Sequence, residues 1–160
     1  MKVNGTSQVV KRFDRLINKL EKIPEEVEKV VVEATNKASS DFRNAQYDGN
    51  NDVVVDFAST EDGFEINASG ESVLFIEYGT GVYYPEQHPN SPYERGTYGQ
   101  GLGKEDTWYY YGEQGTNGEY IETNSRGDLY ATHGNPPSMT MYDTSIGIKS
   151  KIHMIGNKFK

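Results

Sequence analysis

The segment Val73-Leu74-Phe75-Ile76-Glu77-Tyr78-Gly79-Thr80-Gly81 decides how the rest of the chain can fold. Its apolar run is too short for periodicity to separate helix from strand. A cap from Ser69 or Ser72 in front of it points to a short helix or turn, and Gly79-Thr80-Gly81 ends it either way. Immediately upstream stand two β-prone runs, residues 52–58 (DVVVDFA) and 64–68 (FEINA), separated by Ser59-Thr60-Glu61-Asp62-Gly63. These read as an antiparallel hairpin.

Further upstream the pattern is helical. Val9, Val10, Phe13, Leu16, Ile17, Leu20 and Ile23 recur at steps of three and four, placing them on one stripe. Pro24 interrupts, and Glu25, Glu26 and Glu28 suit the positive end of a new helix. The next stripe is Val27, Val30, Val31, Ala34, Ala38, Phe42 and Ala45, stopped by Tyr47-Asp48-Gly49-Asn50-Asn51. The two pieces read as separate helices or as one helix kinked at Pro24, and both stripes are expected to pack into the core, with a groove for a partner helix as the competing use.

Downstream, residues 82–137 are rich in Gly, Pro, Asn and Tyr. Residues 108–111, 119–123 and 129–133 read as short strands around the turn signals Gly115-Thr116-Asn117-Gly118 and Asn124-Ser125-Arg126-Gly127-Asp128, giving an aromatic hairpin or meander. After Asn135-Pro136-Pro137, a Ser138 or Thr140 cap opens a last helix with Met141, Tyr142, Ile146, Ile152, Ile155 and Phe159 as a broken stripe. Gly147 weakens it, while Lys149, Lys151, Lys158 and Lys160 favour its C-terminal end. The expected fold is therefore α+β in one domain spanning 1–160. Its parts are a helical 1–47, a hairpin and Glu-Tyr-Gly-Thr element over 52–81, an extended loop and hairpin over 82–137, and a helix over 138–160.

Leu, Ile, Val and Phe make up 32 of 160 residues, or 20 per cent, a level at which a solitary chain builds only a thin core. Twelve Tyr supply large apolar area with a polar tip, which suits burial between subunits. The net charge of −8 argues against the basic footprint that nucleic-acid binding requires. That charge is uneven: residues 44–143 hold 17 acidic and 3 basic side chains, whereas residues 1–43 hold 7 and 9. The acidic block reads as a solvated face, or more sharply as a surface to which a passing polyanion does not adhere. No apolar run approaches the roughly 20 residues that cross a bilayer. The start, Met1-Lys2-Val3-Asn4-Gly5-Thr6-Ser7-Gln8, has no apolar core of a secretory signal, so synthesis in a cytoplasm is expected.

Catalytic constellations are sparse. Zero Cys removes disulfides, thiolate nucleophiles, Cys-ligated zinc and iron–sulfur clusters. His88, His133 and His153 lie far apart without a metal-ligand spacing, and His88 before Pro89 reads as a loop residue. A carboxylate pair such as Glu77 and Glu86 can be picked for glycoside hydrolysis, but spacing in sequence carries neither separation nor pKa. Gly79-Thr80-Gly81 and Gly99-Gln100-Gly101-Leu102-Gly103 complete neither GxGxxG nor a P-loop and read as turns. What stands out is the aromatic set Tyr78, Tyr83, Tyr84, Tyr93, Tyr98, Trp108, Tyr109, Tyr110 and Tyr111. Such rings stack on sugars or bury against another subunit. Only Arg95 and Lys104 are basic among them, so no funnel for single-stranded nucleic acid accompanies the rings.

One pattern separates these uses. An amphipathic N-terminal helix, a hairpin, Phe75-Ile76-Glu77-Tyr78-Gly79-Thr80-Gly81, a Gly/Tyr-rich excursion and Gly134-Asn135-Pro136-Pro137 before a final helix resemble the small neck or tail-completion proteins of long-tailed bacteriophages. His88-Pro89, Gly96-Thr97-Tyr98-Gly99 and Trp108-Tyr109-Tyr110-Tyr111-Gly112 look like the extended variety of that family. The resemblance runs through the whole chain in order, although only residues 77–81 are locally specific. It implies a virion protein without enzymatic activity, metal or cofactor. Identical copies, a hexamer, would form a ring at the head–tail junction, made in the host cytoplasm and flanked by connector and tail-tube or terminator proteins, with DNA passing unbound and no membrane involved. Glu77, Tyr78, Gly79, Thr80 and Gly81 then have structural roles, and Tyr83, Tyr84, Tyr98, Trp108, Tyr109, Tyr110 and Tyr111 form an inter-subunit aromatic surface. The competing reading is a carbohydrate-binding or glycan-hydrolysing module built on the Tyr/Trp cluster.

Overall fold

The computed structural model of the protein describes residues 5–90 and 105–158, with side chains from Val10 onward. Phe159 and the Gly99-to-Gly103 turn lie outside the described residues. The chain is α+β, as expected. Helix α1 (Gly5–Leu20) leads into α2 (Ile23–Arg43), and the break falls at Glu21-Lys22 rather than at Pro24 itself. The reason is geometric. Proline has no N–H for the carbonyl of Leu20, four residues back, and its ring crowds that carbonyl, so the disturbance lands one turn upstream. Glu21 N–H still donates to the carbonyl of Ile17 (2.9 Å), and Glu26 N–H to that of Lys22 (3.1 Å), so the two helices run on with little interruption.

The two stripes meet different fates. Along α2, Val31, Thr35, Ala38 and Phe42 are buried, with the Thr35 hydroxyl satisfied by the carbonyl of Val31 (2.9 Å). Along α1, by contrast, Val10, Phe13, Leu16, Ile17 and Leu20 are 46 to 61 % exposed. The expectation that both stripes enter the core is thus corrected for α1, which leaves α2 through a bend at Glu21-Lys22 and keeps its stripe outside the described core.

Strands β1 (Val54–Thr60) and β2 (Gly63–Ser69) pair antiparallel from Val54 opposite Ser69 to Thr60 opposite Gly63, with Glu61-Asp62 at the tip. Phe64, Ile66 and Ala68 on β2 are half-buried while Glu65 and Asn67 face water, the alternation of a strand covered on one side. The apolar run that follows is helix α3 (Val73–Tyr78), which places Val73 and Ile76 beside Phe42 as the central cluster. Ala45, Tyr47, Val53, Val55, Ala68 and Met141 pack around it.

The second sheet departs from a simple meander. Strands β3 (Trp108–Tyr111), β4 (Glu119–Asn124) and β5 (Gly127–Thr132) are ordered β3-β5-β4, so β5 lies in the middle and buries Tyr130, Ala131 and Thr132. Tyr130 is flanked on both sides, stacked on Tyr110 and meeting Tyr120 edge-on. The last helix, α4 (Thr140–Asn157), runs antiparallel to α2, with Lys151 reaching Glu33 (2.7 Å) and Lys158 reaching Glu26 (2.9 Å) across the pair. Both pairs are solvent-exposed and worth only a few tenths of a kcal/mol. Among the described residues, no helix is long and apolar enough to cross a membrane.

Asp52 joins the hairpin to α3. Its carboxylate accepts the Ser72 hydroxyl, the Ser72 N–H (3.0 Å) and the Glu71 N–H (2.8 Å). The Ser72 hydroxyl and then these two N–H groups hold its pKa down at about 2, against an ordinary 3.8. A depressed carboxylate stabilises the fold above its unfolded value, and that contribution disappears as pH falls from 3.8 toward 2. Urea denaturation across that interval should therefore show stability falling in the wild type along a slope that flattens in Asp52→Asn.

Candidate functional site

The first turn of α4 has no cap of its own. Its N-cap position is Met139, in the left-handed region (φ 54°), with no side-chain cap bond, so the expected Ser138 or Thr140 cap does not form. A non-glycine residue there costs on the order of 1 kcal/mol and persists only where its surroundings impose it. Glu77 imposes it. Its backbone carbonyl accepts the Met139 N–H (3.2 Å), its Oε2 accepts the Met141 N–H (2.9 Å), and its Oε1 accepts the Tyr142 N–H (3.0 Å). A carboxylate thus sits on the positive end of an 18-residue helix and satisfies two of its orphan donors.

Glu77 is itself buried, 5 % exposed, and its third side-chain partner is His88. The Asn90 N–H donates to His88 Nδ1 (3.0 Å), so that nitrogen is unprotonated and the proton stands on Nε2, which donates to Glu77 Oε1 (3.0 Å). Tyr78 and Tyr142 each meet the imidazole edge-on, with centroids 4.6 and 5.4 Å away. His88 does lie in a loop, yet at 5 % exposure it is the wall of this junction rather than a surface residue. Among the described residues, no buried side-chain polar atom lacks a partner.

The turns on either side close on each other. Thr80 and Asn135 exchange backbone bonds, Thr80 N–H to the Asn135 carbonyl (2.9 Å) and Asn135 N–H to the Thr80 carbonyl (3.2 Å). This approach requires glycines. Gly79 has φ +75°, and a Cβ on it would stand 2.6 Å from the Pro137 nitrogen. Gly134 has φ +84°, and a Cβ there would stand 2.3 Å from the Thr80 carbonyl oxygen. Trp108 lies against Gly81 and Gly134. Beyond the bridge, Asn117 donates through Nδ2 to the Gly134 carbonyl (3.3 Å) and to Asn135 Oδ1 (3.1 Å). Asp48 in turn accepts the Asn117 N–H and the Thr132 hydroxyl.

Glu77, Tyr78, Gly79, Thr80 and Gly81 therefore all lie at one junction. Within the predicted aromatic surface the described rings differ in exposure. Tyr109 and Tyr111 on β3 are exposed, while Tyr110 is half-buried and accepts the Gly115 N–H on its hydroxyl (3.0 Å). Tyr83 is exposed and stacks on His133, Tyr84 is half-buried with its hydroxyl pKa raised by burial, and Trp108 is half-buried. Tyr98 lies outside the described residues. A cleft of about 580 Å3 lies between Tyr110, Tyr111, Glu113 and Asp48. Among the described residues, no cluster of three or more His, Asp or Glu could hold a metal ion. Sequence reasoning missed His88, Asn117 and Asp48, whose partners are distant in the chain.

Searched against protein-family models, curated proteins and solved structures, the chain matches none.

Removal of the Glu77 carboxylate strands two helix N–H groups and the His88 Nε2–H. Glu77→Ala should cost about 3 kcal/mol in urea denaturation, and Glu77→Gln about half of that, because an amide keeps one acceptor and turns its NH2 toward donors. Glycine substitutions should separate strain from propensity in thermal melts. Gly134→Ala should destabilise by about 2 kcal/mol or more. Gly147→Ala, in α4 with nothing within 4 Å of the added Cβ, should stabilise by about 0.5–1 kcal/mol.

Proposed function

We propose that this protein is a structural subunit of a tailed-phage particle, assembling into a ring at the head–tail junction through which DNA passes. One observation carries the proposal. The two stretches on which the resemblance rests, residues 77–81 and 134–137, are joined in space by the Thr80–Asn135 bridge and by Glu77 on the following helix. They form one structural unit, as expected of a motif that serves architecture rather than chemistry. Both Glu77 oxygens are already taken by backbone N–H groups and His88, which leaves it poorly placed as an acid or base.

Self-association is supported by the apolar side chains left in water. Beside the α1 stripe, Tyr109, Tyr120, Ile121, Ile146 and Met154 are between 47 and 61 % exposed. A thin core whose large apolar residues stand outside it is completed by neighbouring copies. The acidic middle of the chain suits a lumen along which a polyanion slides without adhering.

The sugar-binding alternative draws on the cleft beside Tyr111. Several of its groups are committed elsewhere: Tyr110 is stacked on Tyr130, Asp48 is bonded to Asn117 and Thr132, and the Tyr111 hydroxyl accepts from Asn124 (3.1 Å), while Glu113 stands exposed. Light scattering on the purified protein and electron microscopy should show a closed ring, and antibody labelling should place it at the neck of tailed particles. A monomer at high concentration, or glycan binding abolished by Tyr111→Ala, would overturn the proposal.

A further inference from the structure

An apolar groove of about 760 Å3 runs between α2, the β1–β2 hairpin and α4. Val27 and Val31 line one wall, Phe64 and Ile66 the floor, and Ile148 and Ile152 the other wall. No part of the described chain fills it. The same chain carries an apolar stripe that no other described element covers, Val10, Phe13, Leu16, Ile17 and Leu20 of α1, about half exposed along its length. We infer that α1 of one copy lies in this groove of the next, so that neighbouring subunits are linked by exchanged N-terminal arms. The inference rests on the ring reading and names the contact that would build it.

Three features favour a second copy as the occupant. The lengths agree: Val10 to Leu20 extends about 15 Å along a helix axis, and the α4 wall from Met141 to Ile152 about 16 Å. The charges agree as well. Over Gly5–Leu20, Lys11, Arg12, Arg15 and Lys19 face a single acidic residue, Asp14, while the groove's edge is the hairpin tip with Glu61 and Asp62. Of the described α4 lysines, Lys151 and Lys158 are occupied by Glu33 and Glu26, which leaves the exposed Lys149 beside Ile148 as the one cation on that wall against the two carboxylates of the hairpin tip. Finally, the chain's own α1 points elsewhere. The bonds from Glu21 to Ile17 and from Glu26 to Lys22 keep α1 running on from α2, whereas reaching its own groove would require reversal within two residues and the loss of those bonds.

The absence of cysteine makes the contact directly readable. Copies carrying Asn18→Cys, beside the stripe, are mixed with copies carrying Ser59→Cys, on the groove's edge, and treated with a short bismaleimide. A covalent heterodimer is expected, reduced at least tenfold when Phe13→Asp and Leu16→Asp accompany Asn18→Cys. Far-UV circular dichroism of that variant should keep a folded spectrum, since its altered side chains are exposed in the single chain. If a chain bearing both cysteines cross-links only within itself, α1 folds back and the inference fails. It fails equally if no heterodimer forms and wild-type protein floats with phosphatidylglycerol vesicles while Phe13→Asp does not, which makes α1 a membrane-surface helix. A ring that survives the double Asp variant without cross-linking overturns the arm and leaves the ring. A cross-linked, α1-dependent closed dimer leaves the arm and overturns the ring.

Discussion

Helix α4 begins without a cap from its own side chains, the Thr140 hydroxyl bonding to that of Ser138 instead. Pro136 and Pro137 lead into a left-handed Met139, and the N–H groups of Met141 and Tyr142 then point into the protein rather than into water. A buried donor without an acceptor costs roughly 1–3 kcal/mol, a sizeable share of the net stability of a domain this small. Glu77 meets that requirement, and its burial in turn requires that its charge be spread over several donors. Two helix N–H groups and the His88 ring supply them. Because Glu77 belongs to α3, whose Val73 and Ile76 pack on Phe42, the same residue couples the central apolar cluster to the position of α4.

The fold relies on polar connections to an extent that its composition explains. With few aliphatic residues, the region from Tyr78 onward cannot hold its turns by apolar packing alone. It holds them by bonds among Asp48, Thr80, Asn117, Thr132 and Asn135. These groups are short, and several carry both donors and acceptors, so they satisfy one another within tight turns. Glycine makes the tightness achievable at Gly79 and Gly134, where backbone meets backbone closer than any Cβ allows. Such a network has narrow geometric tolerance, so a change at one turn is transmitted to the others.

Periodicity made much of the architecture legible. The α2 stripe, both hairpin strands and the three short aromatic strands occur close to where alternation and turn residues put them. Three features escaped for physical reasons. Capping is normally a local signal, a Ser, Thr, Asp or Asn three residues from its target. Here the acceptor lies 64 residues from Met141, so no window of sequence contains the pair. The order β3-β5-β4 depends on which side of β5 the chain arrives, and residue types in the strands do not encode that. The α1 stripe has the same pattern as a core helix, because periodicity records that one face avoids water without recording what covers it. His88 was hidden differently: its Pro89 neighbour marked a loop, and only the fold reveals the carboxylate it meets.

The exposed α1 stripe and the acidic body follow from one division of labour along the chain. Residues 1–43 carry a slight basic excess and residues 44–143 a strong acidic one, so the arm-to-body contact proposed above would be the electrostatically favoured one between two copies. The same asymmetry disfavours body-to-body contact, since acidic surfaces at close range repel. An assembly built this way is heterologous, head to tail, and closes only if the rotation between neighbours divides a full turn. The bend at Glu21-Lys22 sets the direction in which the arm leaves, and Pro24 fixes that bend by withholding an N–H from Leu20. In the proposed ring, closure would depend less on the aromatic loops than on the direction that a single proline at the root of the arm imposes.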